Sequence, residues 1–147
     1  MPAPDAHPKS PPRILVVDDE PDVRELLDEF LSSVGYAVST AENGGVAIER
    51  ARREDFDLVI TDLRMPGISG VETVAALRHL DPNLAVIVVS GHVSEDAARR
   101  CLAEGAVRIV HKPFDIDDLL NFVEAALRQG RRVDPGATLG GGHAQEC

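Results

Sequence analysis

The chain has 147 residues, a length that suits one globular domain, and 44% of them are hydrophobic but only 3% aromatic, so its core must be aliphatic. The formal net charge of −10 repels phosphate backbones and gives no attraction to anionic lipid, which argues against direct nucleic-acid binding and against a membrane surface. Cys101 and Cys147 form no disulfide framework, the N-terminus lacks the apolar segment of a secretory signal, and no apolar run approaches the ~20 residues of a membrane helix, so a reducing cytoplasm is the expected location.

Residues 1–12 hold half of the ten prolines and are expected to form an extended, disordered arm. A short apolar run at 14–17 predicts a first buried strand. Pro21 then opens a helix at its first turn, where a missing N–H costs nothing. Val23, Leu26, Leu27, Phe30, Leu31 and Val34 recur at helical spacing until Gly35. A second strand is expected at 36–40, and a second helix runs from an Asn43 cap to about Arg53. The third strand is expected at 58–61, followed by a helix capped by Ser69 and ended near His79 by the Asp81-Pro82 turn. Residues 85–89, AVIVV, form the fourth strand, and Ser94 caps a helix to about Glu104. The fifth strand is expected at 107–110. Asp115 begins the last helix, with an apolar stripe of Ile116, Leu119, Leu120, Val123, Ala126 and Leu127. Residues 130–147 are Gly-rich without apolar periodicity and are expected to be a disordered tail, leaving one domain at 13–129.

Five strands alternating with five helices imply right-handed βαβ units, hence an α/β fold with a parallel sheet covered on both faces. Functional groups in such a fold gather at the carboxyl ends of the strands. Asp18, Asp19 and Glu20 follow the first strand, Asp62 the third, Ser90 and Gly91 the fourth, and Lys112 and Pro113 the fifth. If these strands are neighbours, three carboxylates share one pocket. Two like charges about 4 Å apart repel by roughly 4 kcal/mol at an effective dielectric near 20, so either one carboxylate takes up a proton or a cation neutralises the group. An all-oxygen acidic site favours a hard divalent ion such as Mg2+. Lys112 supplies a positive charge for a phosphate, Ser90 a hydroxyl and Gly91 a backbone N–H. Asp62 is the carboxylate best placed to accept a phosphoryl group covalently. Each group alone also has an ordinary role: Asp18 to Glu20 as helix-capping acids, Asp62 as a turn residue, Ser90 and Gly91 as loop, Lys112 as an exposed lysine before a turn. The coincidence of four strand ends is what favours a shared reaction.

The segments ILVVDDEPDVRELL, DLVITDLRMPGISG, VIVVSGH and IVHKPF, in this order, resemble the receiver domains of bacterial two-component response regulators over residues 13–129. The resemblance implies a CheY-like, flavodoxin-like doubly wound sheet of five strands in the order 2-1-3-4-5. It implies Asp62 as phospho-acceptor, Asp19 and Asp62 as direct Mg2+ ligands with the backbone carbonyl of Arg64, and Asp18 acting through a metal-bound water. Ser90 matches the switch hydroxyl, Lys112 the lysine that pairs with the phosphoryl group, and Pro113 a proline that follows a cis peptide bond. Arg64 and His92 match positions that tune the lifetime of the acyl phosphate. The implied partners are a sensor histidine kinase or phosphotransfer protein and an output protein at a face over 94–128. The implied chemistry is limited to the chain's own phosphorylation and dephosphorylation. One position departs: Ile109 stands where the family often has the Tyr or Phe that swings inward as the switch hydroxyl moves.

With no output domain after the last helix, a stand-alone regulator is expected. Two other readings compete. A phosphohydrolase of the haloacid-dehalogenase type favours a D-x-D pattern after the first strand, whereas VVDDEP has adjacent aspartates. An unphosphorylated pseudo-receiver would lack the acidic pocket, whose residues are all present here. The five histidines show no metal-ligand spacing and are expected on the solvated surface, and Cys101 is expected to pack partly against the sheet.

Overall fold

The computed structural model describes residues 11–64, 67, 69–91 and 93–131. The elements alternate strictly: β1 (Arg13–Val17), α1 (Pro21–Ser33), β2 (Ala37–Ala41), α2 (Gly44–Arg53), β3 (Leu58–Thr61), α3 (Gly70–Leu80), β4 (Ala85–Ser90), α4 (Glu95–Ala103), β5 (Arg108–His111) and α5 (Ile116–Arg131). The five strands form one parallel sheet in the order β2-β1-β3-β4-β5, the doubly wound arrangement expected.

Apart from Arg13, Thr61 and Ser90 at their ends, the central strands are apolar because both faces of the sheet are covered. Alternating side chains divide between two cores. Ile14, Val16, Leu58, Ile60, Ile87 and Val89 point to the face covered by α1 and α5. Leu15, Val17, Val59, Val86 and Val88 point to the other, with residues of α2, α3 and α4. Ile14, Leu15, Leu58 and Ile87 are fully buried. Burying each such side chain is worth roughly 1.5–3 kcal/mol, so the centre of the sheet is the least deformable part of the molecule.

The helix starts follow from their caps. Asn43 accepts from the Val46 N–H at 2.8 Å, and Ser94 accepts from the Ala97 N–H at 3.0 Å. Ser69 and Glu72 close a reciprocal capping box on α3. Asp115 accepts from the Asp117 N–H at 2.9 Å and starts α5.

Several expectations need correcting. On α1 only Leu27 and Leu31 are buried, while Leu26 is 53% exposed and Val34 47%. Leu26 lies one residue round the helix from the i, i+4 pair that meets the sheet. β2 begins at Ala37 rather than 36, because the Tyr36 N–H turns back to close α1 on the Leu31 carbonyl. β5 is Arg108–His111, one residue later than expected, which puts His111 in the strand. Cys101 is wholly buried rather than partly packed, and burial pushes its thiol pKa up. α5 runs to Arg131. The expected arm and tail lie almost entirely outside the described residues, as does His92. Among the described residues, no helix is long and apolar enough to cross a membrane.

Candidate functional site: an acidic cluster bridged by Lys112

The site is made where the ladder runs one rung past the strand ends. The Asp18 N–H donates to the Ala41 carbonyl at 3.1 Å, and the Asp62 N–H to the Val17 carbonyl at 3.1 Å. The Lys112 N–H donates to the Ser90 carbonyl at 2.9 Å. These bonds fix three functional residues to neighbouring strands, so the rigid sheet sets their spacing. The peptide bond between Lys112 and Pro113 is cis, as the resemblance implies.

Asp18, Asp19 and Asp62 each bring a carboxylate oxygen within 4.8 Å of the others. Asp18 and Asp62 are buried and Asp19 is exposed. Lys112 Nζ lies 3.1 Å from Asp18 Oδ2 and 3.0 Å from Asp62 Oδ2, bridging the ends of β1 and β3 from the end of β5. The second oxygens are also engaged. Asp18 Oδ1 accepts from the Glu20 N–H at 2.9 Å, and Asp62 Oδ1 accepts from the Arg64 N–H at 3.0 Å.

The electrostatics reflect crowding. Burial pushes the Asp18 pKa above the ordinary carboxylate value, opposed by the Glu20 N–H and by Lys112. Burial alone would lower the Lys112 pKa, but hydrogen bonds to Asp62 and Asp18 outweigh it and hold the lysine above its ordinary value. One ammonium against three carboxylates leaves an excess of negative charge, and the donor set is entirely oxygen. Both features fit a hard divalent cation.

Among the other expected site residues, Ser90 is fully buried at the end of β4. Its Oγ has no hydrogen-bond partner among the described residues. Arg64 contributes its N–H to Asp62, while its side chain is exposed. Ile109 is not at the carboxylates. It pairs with Val88 one pleat below Ser90 and packs into the core beside α4. Sequence reading missed Arg24, whose Nη1 donates to the Asp18 carbonyl at 2.7 Å and pins the chain as it leaves β1. Its place in the first turn of α1 after the acidic pair was the available signal.

Residues 14–124 match the model of the response regulator receiver domain. The chain is 41% identical over 110 residues to a response regulator receiver protein of Anaeromyxobacter sp. strain Fw109-5, covering 75% of this chain and 46% of that protein. It thus spans about half the length of that relative, and 24–27% of several transcriptional regulatory proteins it also matches. Among solved structures, a CheY-like receiver domain protein of Methanospirillum hungatei superposes with a TM-score of 0.83 at 28% identity, covering 85% of this chain and all of that one (100%). The response regulator TrrA of Thermotoga maritima, solved in complex with Mg2+-BeF, superposes at 0.72 with 39% identity, covering 78% of this chain and 98% of that one. The carboxylates, the bridging lysine and the sheet that holds them thus sit in a chain that belongs to the receiver domain family of two-component response regulators.

Proposed function

We propose that the domain accepts a phosphoryl group on Asp62, with Mg2+ held by Asp19, Asp62 and the backbone carbonyl of Arg64, and by Asp18 through water. The observation that carries this reading is the Lys112 bridge: one ammonium, 3.0 Å from Asp62 and 3.1 Å from Asp18, within a cluster of three carboxylates. A carboxylate oxygen of Asp62 forms a bond to phosphorus as the bond from phosphorus to the donor's histidine nitrogen, or to the acetate oxygen of acetyl phosphate, breaks and the donor leaves with its electron pair. Lys112 leaves its carboxylate partners to pair with an equatorial phosphoryl oxygen as charge builds there. When bound, Mg2+ neutralises the remaining charge on the phosphoryl oxygens and permits an anion to approach the carboxylates. The buried Ser90 hydroxyl donates to the phosphoryl group and so moves the end of β4. Arg64 and His92 set how fast water removes the group.

The donor is a sensor histidine kinase or phosphotransfer protein in the cytoplasm, and the state is read at a face formed by α4, β5 and α5 within 94–128. Incubation with acetyl phosphate tests the chemistry. Intact-mass spectrometry should show addition of one phosphoryl group to the wild type, only with Mg2+ present, and none to Asp62→Asn. Equal labelling of both proteins would remove Asp62 from this role.

A further inference from the structure

Ser90 carries a buried hydroxyl that lacks a partner among the described residues, and the sheet register shows which side chain stands beside it. Ser90 and His111 are register partners on β4 and β5. One pleat below, Val88 and Ile109 are partners and both face the core beside α3 and α4. Val89 and Val110 face the opposite core. Alternation therefore puts Ser90 and His111 on one face, with their strands about 4.8 Å apart.

The surroundings leave His111 room to act. It is exposed and lines a surface depression of about 790 Å³ together with Gly91, Val93, Ser94, Ala97 and Arg100. An imidazole can donate or accept a hydrogen bond, whereas Ile109 can do neither. Leu63, after β3, packs into the same core and has no polar side-chain atom.

We propose that His111 is the second partner of the Ser90 hydroxyl. The ring turns in over the depression and holds the hydroxyl while Asp62 is free. It is released when the hydroxyl turns to the phosphoryl group. The exchange moves a ring at the boundary of α4 and β5, so a change at Asp62 reaches the face over 94–128 without an aromatic residue at 109. This role rests on Asp62 being the phospho-acceptor, and it makes His111 a positioning residue.

Ring-nitrogen NMR of the full chain tests the exchange, with the His111 signals assigned by His111→Phe. Wild type and Ser90→Ala are compared at one fixed pH, each with and without Mg2+ and beryllofluoride, while 19F NMR independently reports analogue bound at Asp62. Without analogue, Ser90→Ala should shift the His111 ring nitrogens. Bound analogue should shift them in the same direction in the wild type, with little further effect in Ser90→Ala. Identical His111 shifts in wild type and Ser90→Ala would overturn the proposal, as would a response confined to His92. Absence of a bound 19F signal in the wild type would instead count against the phospho-acceptor reading, and the comparison without analogue would still decide the Ser90–His111 contact.

Discussion

Asp18 and Asp19 are neighbours in sequence but differ in environment. Asp18 is buried against Lys112 and the Glu20 N–H, while Asp19 is exposed and free of those bonds. In the proposed site, Asp19 touches the ion and Asp18 reaches it through water. Asp19→Asn is therefore expected to weaken Mg2+ binding more than Asp18→Asn, measured as the rise in melting temperature with added Mg2+. Asp18→Asn should also raise the metal-free melting temperature by a few degrees, the shift that roughly 1 kcal/mol gives a domain of this size. Burial already disfavours the ionised Asp18, and Asn relieves the repulsion with Asp62. A larger loss of metal response in Asp18→Asn would reverse the assignment of the pair. The carboxylates and Lys112 were legible in the sequence because each lies within two residues of the end of an expected strand. Arg24 and His111 were not. The Arg24 contact and the proposed role of His111 depend on which backbone carbonyl or neighbouring strand a side chain meets, and the residue types alone do not encode that.

At the scale of elements, the loop after β3 is held by the approach of α3. A Cβ at Gly70 would lie 2.5 Å from Leu63 Cα and 2.9 Å from the Leu63 carbonyl oxygen. Both are backbone atoms of the residue that follows Asp62, so they cannot move without moving the site. Gly70→Ala is expected to lose about 1–3 kcal/mol of stability by overpacking and to slow phosphorylation of Asp62. Urea denaturation and acetyl-phosphate labelling measure the two effects. Gly45→Ala, at an exposed helical position with no backbone contact that close, is the control and should be neutral to stabilising. Wild-type stability in Gly70→Ala would mean that α3 does not constrain the loop. The helix caps at Asn43, Ser69 and Ser94 were readable because capping is local chemistry. The phase of α1 was less so. Leu26 belongs to its apolar stripe, yet the sheet takes the narrower face of Val23, Leu27 and Leu31.

Across the whole molecule, the site exists only in the folded chain. Lys112 is 94 residues from Asp18 and 50 from Asp62, and the strand order brings all three together. The alternation of strands and helices implied a parallel sheet, and the family resemblance implied its order. The strand edges were less legible: the Tyr36 N–H closes α1 rather than joining β2, and β5 runs one residue past its apolar run to His111. In the proposed function, the same long range governs how phosphorylation is read. Ile109 offers no ring beside Val88, so the wild-type response to a phosphoryl analogue should centre on 90–94 and on His111, where the proposed exchange takes place. Ile109→Tyr should enlarge the change in amide chemical shifts across 94–128, since a ligand shifts such an equilibrium only by its differential affinity for the two states. A large wild-type response over that whole face, unchanged by Ile109→Tyr, would show that a ring at 109 is dispensable.

The proposed function requires a covalent bond between phosphorus and one carboxylate. After reaction with acetyl phosphate and Mg2+, borohydride reduces an acyl phosphate to an alcohol and leaves a stable mark on the residue that carried it. Peptide mass spectrometry should locate that mark at Asp62 alone, and omission of Mg2+ should abolish it. A mark at Asp18 or Asp19 in place of Asp62, or equal marking without metal, would contradict the account.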